Sequence, residues 1–149
     1  FVGGPQTSWS ASVAALIKAG ILAEVEKAPV RWLEFFGRMI GNTDMHFGNL
    51  AFHLDGIQVG ALAPPYDMLP MHYAPRQGEL RDEPYSLPVL SPEIGDIAGE
   101  VIDAAVDFWR DAQADPRISE NFHQLAAQNR QRALAYRSHA ALLPQRAGA

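Results

Sequence analysis

Residues 42–62 read NTDMHFGNLAFHLDGIQVGAL and set the architecture of the middle of the chain. The first eight residues are mostly polar and typical of a loop, and apolar residues then alternate on both sides of Asp55-Gly56. Such alternation indicates half-buried strands. An Asp-Gly pair between two such runs favours a hairpin with a type I′ turn, which needs positive φ at both central residues. The stretch therefore predicts a loop followed by one small β-hairpin.

The residues before this loop are typical of helices. Candidate N-caps of a first helix are Ser8, Ser10 and Ser12, and Gly20 is a plausible end for it. A second short helix is expected over residues 21–27, and Pro29 suits the first turn of the next one. The helix over residues 30–40 is apolar around most of its circumference, which predicts that it is buried.

The residues after the hairpin divide into an irregular part and a helical part. Residues 64–92 contain seven of the eleven prolines, which predicts an ordered loop region. Ser91-Pro92 is a helix start signal, and the apolar spacing after it predicts a helix of about six turns that Asp115-Pro116 ends. A last helix is expected over residues 119–143. The predicted fold class is therefore mainly α with one hairpin.

Composition excludes several classes of protein. The chain has 149 residues, of which 48% are apolar and 19% charged, so it is not disordered. The absence of cysteine excludes a disulfide scaffold, a zinc–cysteine site and a cysteine nucleophile, and it fits a cytoplasmic location. No apolar run approaches the roughly 20 residues of a membrane span, so no membrane contact is expected.

Charge is unevenly distributed along the chain. The net charge is −5, which does not favour nucleic-acid binding by the whole chain. Residues 117–149 nevertheless hold five arginines and one glutamate. This basic stretch indicates either contact with an acidic group, including the acidic body of the same chain, or a solvated helix face. The first five residues, FVGGP, contain no initiator methionine and form no signal peptide, so we expect a single domain over residues 1–149 of a longer protein.

Reactive side chains gather around the predicted hairpin. Asn49 stands at its entrance and Asp67 a few residues past its exit, so both can face one space. Asp44 precedes Asn49 by five residues, which is the spacing of the protein-kinase catalytic loop. Phosphoryl transfer needs oxygen ligands for a hard cation and one oriented carboxylate, and these three residues fit that chemistry.

Two separated motifs resemble the C-terminal lobe of the HipA-type kinases, which are toxins of bacterial toxin–antitoxin modules. They are GNTDMHFGN at residues 41–49 and LAPPYDMLP at residues 62–70, and the family pattern is N-x-D-x-H-x-x-N, a hairpin, then L-x-P-x-Y-D. The resemblance implies a two-lobed, protein-kinase-like fold. It also implies ATP- and Mg²⁺-dependent phosphorylation of serine or threonine in a protein substrate, and an antitoxin protein as partner.

The resemblance assigns a role to each residue of the candidate site. Asp44 would be the catalytic base, and Asn49 and Asp67 would bind Mg²⁺ and through it the nucleotide. His46 and Tyr66 would support the loop. The longer run YDMLPM that begins at Tyr66 is similar to the YjjJ branch of the family, whose members resemble fusions with an N-terminal DNA-binding module. DNA would then be a partner through a part of the protein outside this chain.

The departures from the kinase pattern concern ATP binding. Asp67 is followed by Met68-Leu69 rather than Phe-Gly, and no glycine-rich phosphate loop is present. The two lysines, Lys18 and Lys27, are not in strand-like contexts that would suit a phosphate clamp. We therefore expect the N-terminal lobe to lie upstream and the 149-residue chain alone to be inactive.

Two other functions remain open from the sequence. A metal-dependent hydrolase could be built from Asp44, His46 and Asp67, and it would favour zinc or manganese. A non-catalytic, kinase-like helical scaffold could instead dimerise or present a DNA-binding module, as in a transcriptional regulator. Dependence on nucleotide together with Mg²⁺ distinguishes the kinase from both.

Overall fold

Helices dominate the architecture, as the sequence predicts. The computed structural model describes residues 8–79 and 81–141. In these ranges the helices and strands are α1 (Trp9–Lys18), α2 (Lys27–Met39), β1 (Phe52–Asp55), β2 (Gln58–Leu62), α3 (Ala98–Ala114) and α4 (Glu120–Ala140). The mainly α fold class with one hairpin is therefore confirmed.

Helix α1 begins at one of the predicted N-caps, Ser8. The prediction of a separate helix over residues 21–27 is wrong. Ser8 Oγ accepts a hydrogen bond from the Ala11 amide at 3.0 Å, which satisfies one free N–H of the first turn. The predicted second helix is a single 3₁₀ turn, Glu24–Glu26, that runs directly into α2. The buried Glu26 carboxylate there accepts a hydrogen bond from the Leu62 amide at 2.8 Å, which connects this turn to β2.

Helix α2 lies between two apolar clusters and is buried, as its sequence predicts. On one side Val30 packs with Trp9 and Val13 of α1 in the smaller cluster, which also receives the hairpin. On the other side Phe35 and Met39 join the larger cluster with α3 and α4. Helix α2 therefore supports the loops that flank the hairpin.

The hairpin is confirmed, but its turn differs from the prediction. Asp55 pairs with Gln58, so the two turn residues are Gly56 and Ile57 rather than Asp55 and Gly56. Only the first of them has positive φ, +62° at Gly56, which is the sign pattern of a type II′ turn and not of type I′. Glycine adopts this φ without steric cost, and Asp55 remains the last residue of β1.

The described part of the proline-rich segment, residues 64–79 and 81–92, is irregular, as predicted, and two buried tyrosines anchor it to the helices. Tyr73 Oη and the Asn129 side chain of α4 are hydrogen bonded at 2.8–3.1 Å. Tyr85 Oη donates to the Met39 carbonyl at 2.5 Å, and Arg132 lies over the Tyr85 ring. Burial raises the pKa of Tyr85 well above its usual value, so the phenol remains a donor.

Helix α3 begins later than its start signals predict. The residues after Ser91 form a 3₁₀ turn, Pro92–Ile94, and α3 starts at Ala98 and has 17 residues. Arg31 of α2 donates to the Glu93 carbonyl and, at 2.8 Å, to the Asp96 carboxylate. Residues 92–97 therefore contact α2 without forming a continuous helix with α3, and the helix is shorter than the predicted six turns.

Helix α4 closes the larger cluster and accounts for part of the basic stretch. It begins after Ser119, whose Oγ accepts a hydrogen bond from the Phe122 amide, and the side chains of Leu125, Ala126 and Ala133 are buried. The predicted end of the helix at residue 143 lies outside the described residues. Arg137 donates to both carboxylate oxygens of Asp103 on α3, at 2.5 and 2.7 Å, so basic residues of α4 contact the acidic body. None of the described helices is long and apolar enough to cross a membrane.

Candidate functional site

The first loop of the site begins where α2 ends. Gly41 has a φ of +75°, which terminates the helix and turns the chain away from its axis. A Cβ at this position would lie 2.8 Å from the Tyr85 ring, so only glycine fits here. The chain therefore leaves the helix through Gly41 and reaches Asn42, the first polar residue of the site.

Asn42 joins the two loops on either side of the hairpin. Its side chain is 7% exposed, and its Oδ1 accepts a hydrogen bond from the Asp44 amide at 3.0 Å. Its Nδ2 donates to the Asp67 carbonyl at 3.0 Å. The backbones of Asp44 and Asp67, which are 23 positions apart in the sequence, are consequently held next to the same amide group.

Asn49 faces Asp44 across the same loop. It lies in a 3₁₀ turn, Phe47–Asn49, and is 7% exposed. Its Nδ2 donates to the Asp44 carbonyl at 3.1 Å, which leaves Oδ1 without a protein partner among the described residues. On the opposite loop, Tyr66 Oη donates to the Gly48 carbonyl and forms a second link across the site. The structure thus brings together the chain segments that carry Asp44, Asn49 and Asp67.

The two aspartate side chains of the site are available to bind other groups. Asp44 and Asp67 are both exposed, and within residues 8–79 and 81–141 neither carboxylate has a hydrogen bond or an ion pair. Asp67 also has a φ of +54°, in the left-handed region that side-chain-bearing residues rarely adopt. Such conformations persist where surrounding contacts impose them, and they are frequent at functional sites.

His46 and Tyr66, the predicted supporting residues, contact the loop in different ways. The His46 carbonyl accepts a hydrogen bond from Trp9 Nε1 of α1 at 3.2 Å, while its ring is exposed. The ring lies beside Gly48, where a Cβ would be 2.8 Å from its Cε1 atom. Tyr66 is exposed and contacts the loop through its hydroxyl group.

The residues that follow the two aspartates anchor both loops to α2. Met45 and Met68 are partly buried and pack against the smaller apolar cluster. A Cβ at Gly37 would lie 2.5 Å from Met45 Sδ and 3.5 Å from the Met68 methyl group, so both thioether side chains meet over this glycine. The site therefore packs on an apolar surface of α2, and the loops form its polar surface.

The described residues do not form the metal site that the hydrolase hypothesis requires. Within the described part of the chain, no three side chains of histidine, cysteine, aspartate or glutamate are grouped closely enough to hold a metal ion. Asp44, His46 and Asp67 therefore do not form the imidazole-containing ligand set that a zinc or manganese hydrolase needs.

The sequence interpretation gave no role to Asn42, the first residue of the N-x-D-x-H-x-x-N pattern, and it did not single out Trp9 or the two methionines as supports of the site. A local signal existed for Asn42, because an asparagine two residues before Asp44 favours a side-chain bond to that amide. Its bond to the Asp67 carbonyl spans 25 positions and has no local signal. The contact of Trp9 with the His46 carbonyl spans 37 positions and likewise could not be predicted.

Comparison with known proteins finds a curated relative of this chain. No protein-family model matches the chain, and no solved structure matches it. A curated relative covers 127 residues, or 85% of this chain, whereas the chain spans only 28% of the relative's length. This similarity agrees with the resemblance of the YDMLPM run to the YjjJ branch. The chain is 37% identical over those residues to the protein named Toxin YjjJ of Escherichia coli (strain K12).

Proposed function

We propose that this chain is the C-terminal catalytic lobe of a HipA-like, ATP- and Mg²⁺-dependent protein serine/threonine kinase that is the toxin of a toxin–antitoxin pair. The observation that carries the proposal is the pair of bonds made by Asn42, which hold the loop of Asp44 against the loop of Asp67. The name of the relative, Toxin YjjJ, supports the toxin role. An antitoxin protein is the partner that this role requires.

The side chains of the site fit Mg²⁺ by their chemistry. Mg²⁺ prefers oxygen ligands and is usually held by one or two carboxylates together with substrate phosphates. Asn49 offers an amide oxygen and Asp67 a carboxylate, and neither group is occupied by a described protein donor. When bound, Mg²⁺ with ATP would supply neutralisation of the charge on the transferred phosphoryl group. Asn49 and Asp67 are the residues that would hold it.

Asp44 is suited to the role of catalytic base. Its amide donates to Asn42 and its carbonyl accepts from Asn49, so both sides of its backbone are fixed while the carboxylate remains exposed. In the proposed reaction this carboxylate accepts the proton of a serine or threonine hydroxyl. The hydroxyl oxygen then bonds to the γ-phosphorus, the bond to the bridging oxygen breaks, and ADP leaves.

The remaining parts of an ATP site are proposed to lie outside the 149 residues. Lys27 pairs with Glu24 at 3.2 Å, and Lys18 ends α1, so neither lysine occupies a strand over this site. The phosphate-clamping lysine and the glycine-rich loop then belong to another lobe. A DNA-binding module, if the YjjJ resemblance extends to it, belongs to another segment as well.

The test uses the full-length protein with ATP labelled at the γ-phosphate, Mg²⁺ and a bacterial protein extract as substrate. We expect label on serine or threonine, complete loss of labelling with EDTA, and no labelling by the 149-residue chain alone. A full-length protein that incorporates no label while its Asp44→Ala variant keeps all toxicity would contradict the proposal. That result would favour the non-catalytic scaffold.

A further inference from the structure

We propose that Asn42 is a positioning residue. It couples the loop that carries Asp44, the proposed base, to the loop that carries Asp67, a proposed Mg²⁺ ligand. This inference rests on the proposed function, because it concerns how Asp44 and Asp67 are held for catalysis. Asn42 touches the backbone of both residues and is itself buried. It therefore acts through Asp44 and Asp67 and not by contact with substrate.

The bonding pattern requires a primary amide at position 42. Oδ1 accepts from the Asp44 amide, and Nδ2 donates to the Asp67 carbonyl and lies 3.7 Å from Met68 Sδ. An aspartate at this position would keep the acceptor and lose the donor, and its charge would face a carbonyl oxygen. A serine hydroxyl is too short to reach both loops. The two contacts thus depend on one donor and one acceptor on the same planar group.

The backbone of Asp67 explains why such a restraint is needed. Its φ of +54° is unfavourable for a residue with a Cβ, and its side chain makes no described hydrogen bond that would stabilise it. The bond from Asn42 holds the carbonyl of this same residue. Without the bond, Asp67 can relax to negative φ, which changes the direction of its carboxylate.

The burial of Asn42 distinguishes it from the second link across the site. Tyr66, which donates to the Gly48 carbonyl, is 45% exposed, so water can replace that bond. Asn42 is 7% exposed, so water has little access to its amide and does not readily replace its two bonds. We therefore assign the coupling between the loops mainly to Asn42.

The test replaces Asn42 by Asp in the full-length protein and measures Mn²⁺ binding with a non-hydrolysable ATP analogue. The signal of free Mn²⁺ in electron paramagnetic resonance reports binding without any need for turnover. We expect the apparent Kd for Mn²⁺ to rise by about 10–100-fold, as for residues that orient metal ligands. We also expect the rate of phosphoryl transfer to fall and to recover partly at high Mg²⁺, which a general folding defect would not produce.

Asn129→Asp is the matched control. Asn129 is as well buried as Asn42 and is also bonded through its amide, but to Tyr73 in the larger cluster. We expect this variant to keep the wild-type affinity for Mn²⁺ at equal folded fraction. Asn42→Ala serves as a second variant, since it removes both bonds without adding charge.

The possible results separate the inference from the proposed function. Wild-type Mn²⁺ affinity and rate in both Asn42 variants would overturn the inference alone. Loss of helical circular dichroism in both variants would also overturn it, because Asn42 would then be a folding residue. A wild-type protein that binds no Mn²⁺ with the ATP analogue would overturn the proposed function and the inference together.

Discussion

Replacing Asp44 by Asn in the full-length protein is expected to lower the rate of phosphoryl transfer by about 10²–10⁴-fold, the usual contribution of a general base. The amide has nearly the same shape as the carboxylate but cannot accept the proton of the substrate hydroxyl. The backbone bonds of residue 44 with Asn42 and Asn49 do not involve its side chain and remain. The loss should therefore be in kcat, with Mn²⁺ and nucleotide affinity close to wild type.

The measurement is the single-turnover rate with labelled ATP, together with Mn²⁺ binding on the same preparations. Asp55→Asn is the matched control, because Asp55 is an exposed aspartate at the end of β1. We expect the control to phosphorylate at the wild-type rate. An Asp44→Asn protein that retains more than about a tenth of the wild-type rate would remove Asp44 from the role of base.

Replacing Gly41 by Ala is expected to reduce the free energy of unfolding of the chain by about 2–4 kcal/mol. Two effects add at this position. A residue with a Cβ is strained at a φ of +75°, and the Cβ would lie 2.8 Å from the Tyr85 ring, which is itself fixed by its bond to the Met39 carbonyl. Because Asn42 follows directly, the same substitution should also displace the site.

Gly20→Ala separates the two effects in urea unfolding followed by circular dichroism. Gly20 has a similar φ of +71°, and no atom lies within 4 Å of the position that its Cβ would take. We expect Gly20→Ala to lower the free energy of unfolding by only about 1 kcal/mol, which is the contribution of backbone strain alone. Equal losses in the two variants would show that the Tyr85 ring moves aside and that Gly41 is not required by packing.

The elements that the sequence predicts correctly depend on local signals. Ser8 and Ser119 cap α1 and α4 because an N-cap hydroxyl needs only an amide three residues ahead. The hairpin around Gly56 follows from alternation and from one residue that tolerates positive φ. These features require no knowledge of the rest of the chain.

Two of the errors fall in segments that form hydrogen bonds with distant residues. Ahead of α3, in the stretch predicted to be helical, the Glu93 carbonyl accepts a hydrogen bond from Arg31, which lies 62 positions earlier. In the turn Glu24–Glu26, the Glu26 carboxylate accepts a hydrogen bond from the Leu62 amide, 36 positions away. No local pattern around either segment contains that information, so propensity and capping rules predicted helices instead.

Some features of the candidate site could likewise be predicted from the local sequence, and others could not. The residue types and spacing of Asp44, Asn49 and Asp67 indicate their chemistry, and the hairpin between them predicts that their segments meet. Asn42 links these segments through a bond to Asp67 across 25 positions, and Asp67 has a left-handed φ. Neither feature can be read from a single sequence.

The location of the metal tests the central claim most directly. A crystal of the full-length protein with Mn²⁺ and a non-hydrolysable ATP analogue would give the position of Mn²⁺ by anomalous scattering. We expect the ion between the Asn49 amide oxygen and the Asp67 carboxylate, on the same side of the site as the Asp44 carboxylate. An ion bound elsewhere, with Asp44, Asn49 and Asp67 all free of it and of the nucleotide, would contradict the proposed kinase site.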